Sequence, residues 1–241
     1  MANDAHISGS GRISSGEYNE VHISGSGQWN GPVRCQSFHV SGSCRGEGPL
    51  TVLEDLHCSG SLRSEGTVDA KEIAVSGSAR IEGNVAGREE VHISGSLRCN
   101  TLYGGDVNIS GGLNVQGDVE ADCFHMAGGG EIKGLLNAEE VDIAIGFQVG
   151  SLKIGQIGGS EIRVRRSGGG LLSKLFTSKS SNAAVVVGTI EGDDIDLMSV
   201  EADVVRGSDI ILRSGCRIGR VEYSGDLTIL DGAEVGEQVK M

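Results

Sequence analysis

The dipeptide Ser-Gly recurs at nearly constant spacing through the first half of the chain. Alanine replaces serine in the last copy, and the copies begin at Ser8, Ser24, Ser41, Ser59, Ser76, Ser94, Ser110 and Ala127. The gaps between successive copies are 16, 17, 18, 17, 18, 16 and 17 residues. A unit this short cannot enclose a core of its own, so it must bury its apolar residues against neighbouring units. The repeat therefore predicts a solenoid and argues against an ordinary globular domain.

Apolar and polar residues alternate within each repeat, which is typical of half-buried strands. In the unit that begins at Ser59, the apolar residues set apart by polar neighbours are Val68, Ala70, Ile73 and Val75. We expect the glycines to form the corners, because glycine accepts the positive φ that a sharp bend requires. The sequence therefore predicts an all-β fold, a single-stranded parallel β-helix (β-solenoid) with about 16–18 residues in each coil.

The Ser-Gly dipeptide fades after about Val141, but short apolar strands continue to recur. Ile195, Ile210 and Leu227 begin three of them, with gaps of 15 and 17 residues. The gap from Ile162 to Ile195 is 33 residues, which corresponds to one coil and an insertion. We therefore predict one continuous β-helix domain over residues 1–241, with an inserted loop at about 167–182.

Composition and charge exclude several classes of protein. The chain has 40 Gly and 3% aromatic residues, which suits a narrow aliphatic interior. The formal net charge of -13 repels phosphate, so we expect no nucleic-acid partner. The six cysteines show no CxxC pair, and we interpret them as reduced and buried. Residues 1–4 do not resemble a secretory signal and no run of 18 apolar residues occurs, which predicts a cytoplasmic location.

All six histidines occupy one slot of the repeat, two residues before the Ser-Gly or Ala-Gly dipeptide. They are His6, His22, His39, His57, His92 and His125. The residue after each histidine is apolar and faces inward, so the histidines should face outward in a ladder with rungs about 4.8 Å apart. A metal-binding stripe and a pH sensor are the functional alternatives. We expect no acidic residue or cysteine to join the row at a fixed spacing, and therefore interpret the ladder as structural.

Protonation of the ladder still has a predicted effect. Neighbouring charged rungs should repel by roughly 1 kcal/mol per pair in a water-like dielectric. Coils near the N-terminus, or filaments built from them, should therefore loosen below about pH 6.

The predicted insertion reverses the local sign of the charge. No acidic residue occurs from Ile162 to Ile190. The candidate contact residues in and before the loop are Arg165, Arg166, Leu171, Leu172, Lys174, Leu175 and Phe176. The four apolar ones would lie on one face of a short helix, and apolar residues beside lysines suit an anionic membrane surface. A loop folded back on the coil and a docking site for a partner protein are the alternatives.

Catalytic motifs are missing from the sequence. The chain has no GxSxG, no phosphate loop of the GxxxxGK type and no HExxH. A cluster of carboxylates that starts at Glu191 could be a cation site, but no further metal-ligand residues accompany it in a recognisable pattern. We therefore interpret it as a solvated corner. We therefore predict no enzyme activity, no catalytic or cofactor-binding residue, no metal site and no cofactor.

The repeat phrase resembles the bactofilins, a family of polymer-forming bacterial cytoskeletal proteins. The resemblance rests on Ser-Gly-x-(Val/Leu/Ala)-x-x-x-Gly-x-Val phrases between Ser24 and about Asn137. The segment from Val204 to Tyr223 resembles longer bactofilin-type proteins of Gram-positive bacteria. The resemblance implies a right-handed β-helix and nucleotide-independent, non-polar filaments in the cytosol, often under the membrane. It also implies a scaffold role for cell-shape, cell-wall or motility machinery.

The sequence itself favours self-association. Coil-like residues begin at His6 and apolar alternation continues to Val239, so both ends of the solenoid should offer open strand edges. Stacking of like on like through such edges gives a filament. We therefore predict a self-assembling scaffold whose partner is a second copy of the chain. The anionic inner face of the cell membrane and cell-wall or motility proteins are candidate further partners. A β-solenoid enzyme of the acyltransferase or carbonic-anhydrase-like type and a monomeric protein-binding rod are the alternatives.

Overall fold

The computed structural model describes residues 3–146, 152–166 and 185–241, and these residues form strands and turns without a helix. The strands are β1 (Asn3–Ile7), β2 (Ser10–Ile13), β3 (Gly16–Ile23), β4 (Ser26–Trp29), β5 (Val33–Cys35), β6 (Ser37–Val40), β7 (Ser43–Gly46), β8 (Leu50–Val52), β9 (Asp55–Cys58), β10 (Ser61–Ser64), β11 (Val68–Val75), β12 (Ser78–Ile81), β13 (Val85–Ile93), β14 (Ser96–Cys99), β15 (Leu102–Ile109), β16 (Gly112–Val115), β17 (Val119–Met126), β18 (Gly129–Ile145), β19 (Leu152–Arg166), β20 (Val185–Leu197), β21 (Val200–Leu212), β22 (Arg217–Tyr223), β23 (Leu227–Ile229) and β24 (Glu234–Lys240). The predicted all-β class is confirmed.

Strands one coil apart pair in parallel and in register. β10 lies between β7 and β12, so that Leu62 is beside Cys44 on one side and Ala79 on the other. The strands form about 13 coils in total, which confirms the predicted β-solenoid. The chain divides into two compact units, Met1–Ala121 (unit 1) and Asp122–Met241 (unit 2). Each unit is described by itself.

Unit 1 has a narrow interior filled by alternate residues of its strands. In β3, Val21 and Ile23 are fully buried while the residue between them is only half-buried. The largest interior side chain is Trp29, whose indole N–H donates to the carbonyl oxygen of Gly48 at 3.2 Å. Its ring packs edge-on against Phe38 with 5.7 Å between the centroids. Gly46 lies one coil further on, where a Cβ atom would sit 1.8 Å from the indole ring, so glycine makes room for tryptophan.

The Ser-Gly corners of unit 1 require glycine for a different reason from the one predicted. Gly60 and Gly77 do not have positive φ. A Cβ atom at Gly60 would instead lie 1.9 Å from the carbonyl oxygen of Gly42, one coil away. A Cβ atom at Gly77 would lie 2.0 Å from the carbonyl oxygen of Gly60. The expectation of positive φ was therefore wrong at these corners, where glycine allows two backbones to approach each other closely.

The guanidinium group of Arg88 links three coils of unit 1 by hydrogen bonds. One Arg88 nitrogen donates to the carbonyl oxygens of Val52 and Leu53 at 2.9 and 3.1 Å. Another donates to the carbonyl oxygen of Ala70 at 3.4 Å and lies 3.5 Å from a carboxylate oxygen of Asp69. Arg88 therefore stabilises backbone groups at the corner of two preceding coils.

Unit 2 is built from longer strands with the same parallel register. β19 pairs with β20 so that Ile162 lies beside Ile195, although 33 residues separate them in the chain. β20 pairs in turn with β21, which places Ile195 beside Ile210. All three isoleucines are buried. Most of the predicted insertion, residues 167–184, lies outside the described residues, and the continuity of the domain across both units stays a prediction.

None of the cysteines in the described residues forms a disulfide bond, and five of the six are buried. Burial raises the pKa of Cys35, Cys44 and Cys99 to about 12, and that of Cys58 to about 11. Thiols with such pKa values are almost fully protonated at neutral pH, so they are weak nucleophiles. These cysteines therefore act as small apolar residues of the interior.

Candidate functional site

The histidines of unit 1 form a row on the outer surface of the coils. His6, His22, His39 and His57 lie beside one another in successive strands. Their neighbouring ring centroids are 6.2, 6.2 and 6.3 Å apart. His6 and His57 are exposed, and His22 and His39 are half-buried. Ala74, His92 and Asn108 continue this histidine row through the following coils.

An acidic row runs beside the histidine row, and the sequence analysis missed it. Its members stand two residues before the histidine slot and are Asp4, Glu20, Asp55, Glu72, Glu90 and Asp106. Glu72 lies in register with Asp55 on one side and Glu90 on the other. A carboxylate oxygen of Asp55 lies 3.1 Å from Nε2 of His39, across the coils. The expectation that no acid accompanies the histidines at fixed spacing was therefore wrong. A count of every outward position, rather than of the histidine slot alone, would have found this row.

No metal centre emerges from these rows within the described part of the chain. Groups of three or more His, Cys, Asp or Glu side chains with the geometry to hold an ion are absent there. The imidazoles lie one coil apart, and the carboxylates form a parallel row instead of converging with them.

In unit 2 the same outward slot carries opposite charges. After His125 it holds Asp142, Arg163 and Asp196, which lie beside one another in β18, β19 and β20. Ile211 and Thr228 follow in the next two coils. Both aspartates receive two hydrogen bonds from an arginine that stands in the neighbouring coil. Unit 2 therefore replaces a row of neutral imidazoles with fixed ion pairs.

These ion pairs involve some of the residues predicted to contact a membrane. Arg165 donates through Nε to Asp142 Oδ1 at 3.0 Å and through a second nitrogen to Asp142 Oδ2. His125 Nδ1 lies 4.0 Å from the same carboxylate. Arg166 is exposed at the end of β19. The remaining candidate contact residues lie outside the described residues; they are Leu171, Leu172, Lys174, Leu175 and Phe176.

Another aspartate of unit 2, Asp196, is held in the same way. Arg213 donates through Nε and a second nitrogen to its two carboxylate oxygens at 2.6 and 2.7 Å. Glu191 lies 3.4 Å from a nitrogen of Arg206. The cluster interpreted as a solvated corner is therefore partly neutralised by arginines from the following coils.

A ladder of alternating charges crosses the later coils of unit 2. Arg206 Nε lies 2.6 Å from one oxygen of Glu222, and Arg220 Nε lies 2.8 Å from the other. Arg220 also lies 3.3 Å from Glu237 in the last strand. The hydrogen bond from Arg206 is the main cause of a lowered pKa of Glu222.

The last coil of unit 2 leaves its inward-facing side chains partly uncovered. Ile229 is 37% exposed, whereas Leu212, one coil earlier in the same slot, is fully buried. Val235 is half-buried, whereas its inward-facing counterpart Ile218 in the preceding coil is buried. The first described coil of unit 1 shows the same contrast, because Ile7 is half-buried and Ile23 is fully buried.

Comparison with known proteins identifies the repeat region. Residues 44–137 match the bactofilin family, which is described as polymer-forming and cytoskeletal. The resemblance seen in the sequence is therefore confirmed over this region. No solved structure matches the chain.

Two curated relatives come from Bacillus subtilis (strain 168). The uncharacterized protein YhbF is 31% identical over 108 residues, which cover 45% of this chain and 42% of the relative. The uncharacterized protein YhbE is 36% identical over 112 residues, which cover 46% of this chain and 45% of the relative. The chain thus spans less than half the length of the curated relatives it matches.

Proposed function

We propose that the chain is a structural scaffold that assembles end to end into filaments, because residues 44–137 match the bactofilin family, which is described as polymer-forming and cytoskeletal. Assembly needs no nucleotide, because the contact is made by strand edges and apolar side chains of the coils themselves. In the cell the filament supports cell-shape, cell-wall or motility machinery.

The observation that supports this proposal most is the uncovered last coil of unit 2. Ile229 and Leu230 are 37% and 42% exposed, whereas Leu212, in the same slot as Ile229 one coil earlier, is fully buried. Each square ångström of apolar surface removed from water contributes roughly 25 cal/mol. A second copy stacked on this coil would bury these residues and would also pair the open backbone edge of β23 and β24. End contacts of this kind at both ends of the chain repeat from copy to copy, so the assembly continues as a filament.

Electron microscopy of the purified chain tests the proposal, with one variant and one control. Ile229→Lys together with Val235→Lys places two charges on the inward-facing row of the last coil. We expect filaments of the unaltered chain and their loss in the variant. Thr228→Lys adds a charge to the outward face of the same coil, next to Ile229, and should leave the filaments intact. Filaments that survive the double substitution would contradict an end contact through this coil.

The same images separate the alternative functions. Discrete trimers would favour a β-solenoid enzyme of the acyltransferase or carbonic-anhydrase-like type, and short single particles would favour a monomeric binding rod. The family match supports neither alternative, because the bactofilins are a structural cytoskeletal family.

The proposal extends to a contact between the filament and the cell membrane. The described residues contain no helix with the length and apolar character required to cross a bilayer. We propose a peripheral contact with the inner face of the cell membrane, through the apolar and basic residues that follow β19. Arg165 is already paired with Asp142, so it contributes little charge to this contact.

Co-sedimentation with anionic liposomes tests this contact. Leu172→Glu together with Phe176→Glu should abolish binding, while filament formation is unchanged. A filament presents many copies of the contact, so weak single contacts add up to measurable binding. Equal binding of both proteins to anionic vesicles would rule out a membrane contact through this segment.

A further inference from the structure

An outward face of unit 1 carries two rows of opposite charge. It is formed by β7, β10 and β12 and by the corner residue after each strand. In each coil a serine, an arginine and a glutamate alternate with interior residues. The members of this arginine–glutamate face are Ser43, Arg45, Glu47, Ser61, Arg63, Glu65, Ser78, Arg80 and Glu82.

The arginines of this face form one column and the glutamates another. Arg63 lies directly between Arg45 and Arg80 in the strand register. The backbone N–H of Glu65 donates to the carbonyl oxygen of Gly46, and that of Glu82 to Ser64, which continues the ladder beyond the strands. The two columns therefore run side by side along the stacking direction of the coils.

The two columns are paired within the chain but are still accessible. Arg45 lies 2.7 Å from Glu65, and Arg80 lies 2.8 Å from Glu82. The side chains of these pairs are 45% to 52% exposed. Exposed pairs of this kind contribute little to the stability of a single chain. Their outer atoms stay available to a second charged surface.

This face differs from the rest of the molecule in its charge balance. The chain as a whole carries a formal charge of -13, and the neighbouring acidic row of unit 1 has no matching column of cations. Two copies that approach through most surfaces therefore repel each other. On the arginine–glutamate face every glutamate has an arginine two residues before it, so a second copy can approach without a net charge penalty.

We propose that the arginine–glutamate face pairs side by side with the same face of a second copy. The pairing is lateral, so it is distinct from the end-to-end contact of the proposed filament and does not depend on it. The partner is a second copy because the face is complementary to itself. Its two columns have opposite signs and the same spacing from rung to rung.

The charge columns also select the relative direction of the two copies. A two-fold axis parallel to the stacking direction reverses the strand direction, so it places the arginine column of one copy over the glutamate column of the other. A two-fold axis parallel to the strands places arginine over arginine, which is repulsive. The coils of the two copies therefore stack in the same direction. The serine column beside the arginines is small and does not obstruct this approach.

A charge-exchange experiment on the full chain tests the pairing. One variant carries Arg45→Glu, Arg63→Glu and Arg80→Glu, and the other carries Glu47→Arg, Glu65→Arg and Glu82→Arg. Sedimentation velocity at low salt measures side-by-side association, and electron microscopy measures the lateral width of any filaments. We expect the unaltered chain to associate, and each variant alone to need at least about a tenfold higher concentration, which corresponds to 1.4 kcal/mol. An equimolar mixture of the two variants should associate again, which also shows that both are folded.

Salt and the remaining outcomes complete the test. Association of the unaltered chain should weaken as ionic strength rises, because screening shortens the range of the attraction to about 10 Å at 0.1 M salt. Single-width filaments at all salt concentrations would overturn lateral pairing and leave the end contact intact. Side-by-side dimers without filaments would support the pairing and overturn the proposed end contact. Stronger association of the glutamate-to-arginine variant alone would also overturn the pairing, because it would show that another acidic surface is the partner.

Discussion

Units 1 and 2 fill the same outward slot of the coil with different chemistry. In unit 1 the slot holds histidines whose rings follow one another at about 6 Å. In unit 2 it holds Asp142 and Asp196, each bound by two nitrogens of an arginine in the neighbouring coil. A parallel β-helix places identical slots directly above one another, so like charges in one slot repel. The two units avoid this repulsion either with side chains that are neutral at pH 7 or with alternating charges.

The difference has a consequence for stability. Arginine–carboxylate pairs lose their charge only in strong acid, and salt screens them. Unit 2 should therefore respond to salt and to strong acid, and unit 1 mainly to changes in backbone packing. Amide hydrogen exchange distinguishes the two units, because it reports the protection of each strand separately.

The largest effect is expected from the close backbone contacts of unit 1. Gly60→Ala places a Cβ atom 1.9 Å from the carbonyl oxygen of Gly42, so the backbone must shift. We expect a loss of about 3 kcal/mol or more, at the upper end of overpacking effects. Thermal unfolding measures this loss, and hydrogen exchange should place it in unit 1. At Gly9, the first copy of the same dipeptide, a Cβ atom would meet nothing within 4 Å. Gly9→Ala should therefore be tolerated, and an equal loss in both variants would contradict the packing argument.

The next largest loss of stability is expected from the removal of Arg88. This arginine links neighbouring coils of unit 1 by hydrogen bonds, as the arginine–aspartate pairs do in unit 2. Arg88→Ala leaves the carbonyl oxygens of Val52 and Leu53 without this donor. We expect a loss of about 1–2 kcal/mol, as for hydrogen bonds to charged groups at a partly exposed site. Arg98→Ala is the matched control, because it removes an arginine of the same unit that forms no ion pair with the described residues. If the two substitutions cost the same in denaturant unfolding, the contacts of Arg88 do not stabilise the coils.

A smaller effect is expected in unit 2 from Glu222. The hydrogen bond from Arg206 lowers the pKa of Glu222, so the folded state holds its carboxylate ionised more strongly than the unfolded chain does. This contribution is present above the unfolded pKa of about 4.3 and is lost as the pH falls through the lower folded value. Glu222→Gln should therefore destabilise β21 and β22 at pH 6, and the difference from the unaltered chain should disappear in stronger acid. Asp231→Asn, which breaks no ion pair of the described residues, should show no such pH dependence in hydrogen exchange.

The smallest effect concerns the histidine row at pH 5.5. Protonated neighbours should repel by roughly 1 kcal/mol per pair in a water-like dielectric, but the acidic row beside them offsets this repulsion. We expect hydrogen exchange in β3, β6 and β9 to change little between pH 7.5 and 5.5. Replacement of the acids that stand beside these histidines, by Asp4→Asn, Glu20→Gln and Asp55→Asn, should expose the loosening. No additional loosening in this variant would show that the two rows are independent.

The sequence predicted the fold well because the repeat determines it directly. Ser59 and its equivalents mark each coil, and the alternation from Val68 to Val75 gives the buried and exposed faces. In-register pairing then follows, since a shift of one residue would expose the apolar row. The role of the Ser-Gly glycines could not be predicted, because the distance between Gly42 and Gly60 is a property of stacked coils and not of one segment.

The surface rows were predicted less completely. The six histidines stood out because they are rare residues, whereas the acidic row was hidden among many carboxylates. The pair between Arg165 and Asp142 joins residues 23 positions apart, and an irregular coil length conceals such a pair in the sequence. The register between coils decides which exposed charges lie next to each other. The repeat predicts this register for unit 1, but it does not do so for unit 2, whose coils differ in length.

Fibre diffraction from aligned assemblies of the purified chain tests the central claim most directly. If coils stack end to end through uncovered terminal coils, the strands of every copy lie perpendicular to the filament axis. The account then predicts a strong reflection at about 4.8 Å along the filament axis, which is the spacing between parallel strands. Ile229→Lys together with Val235→Lys should remove the filaments and the reflection with them. Filaments whose 4.8 Å reflection lies across the axis, or a chain that forms no filaments, would contradict the account.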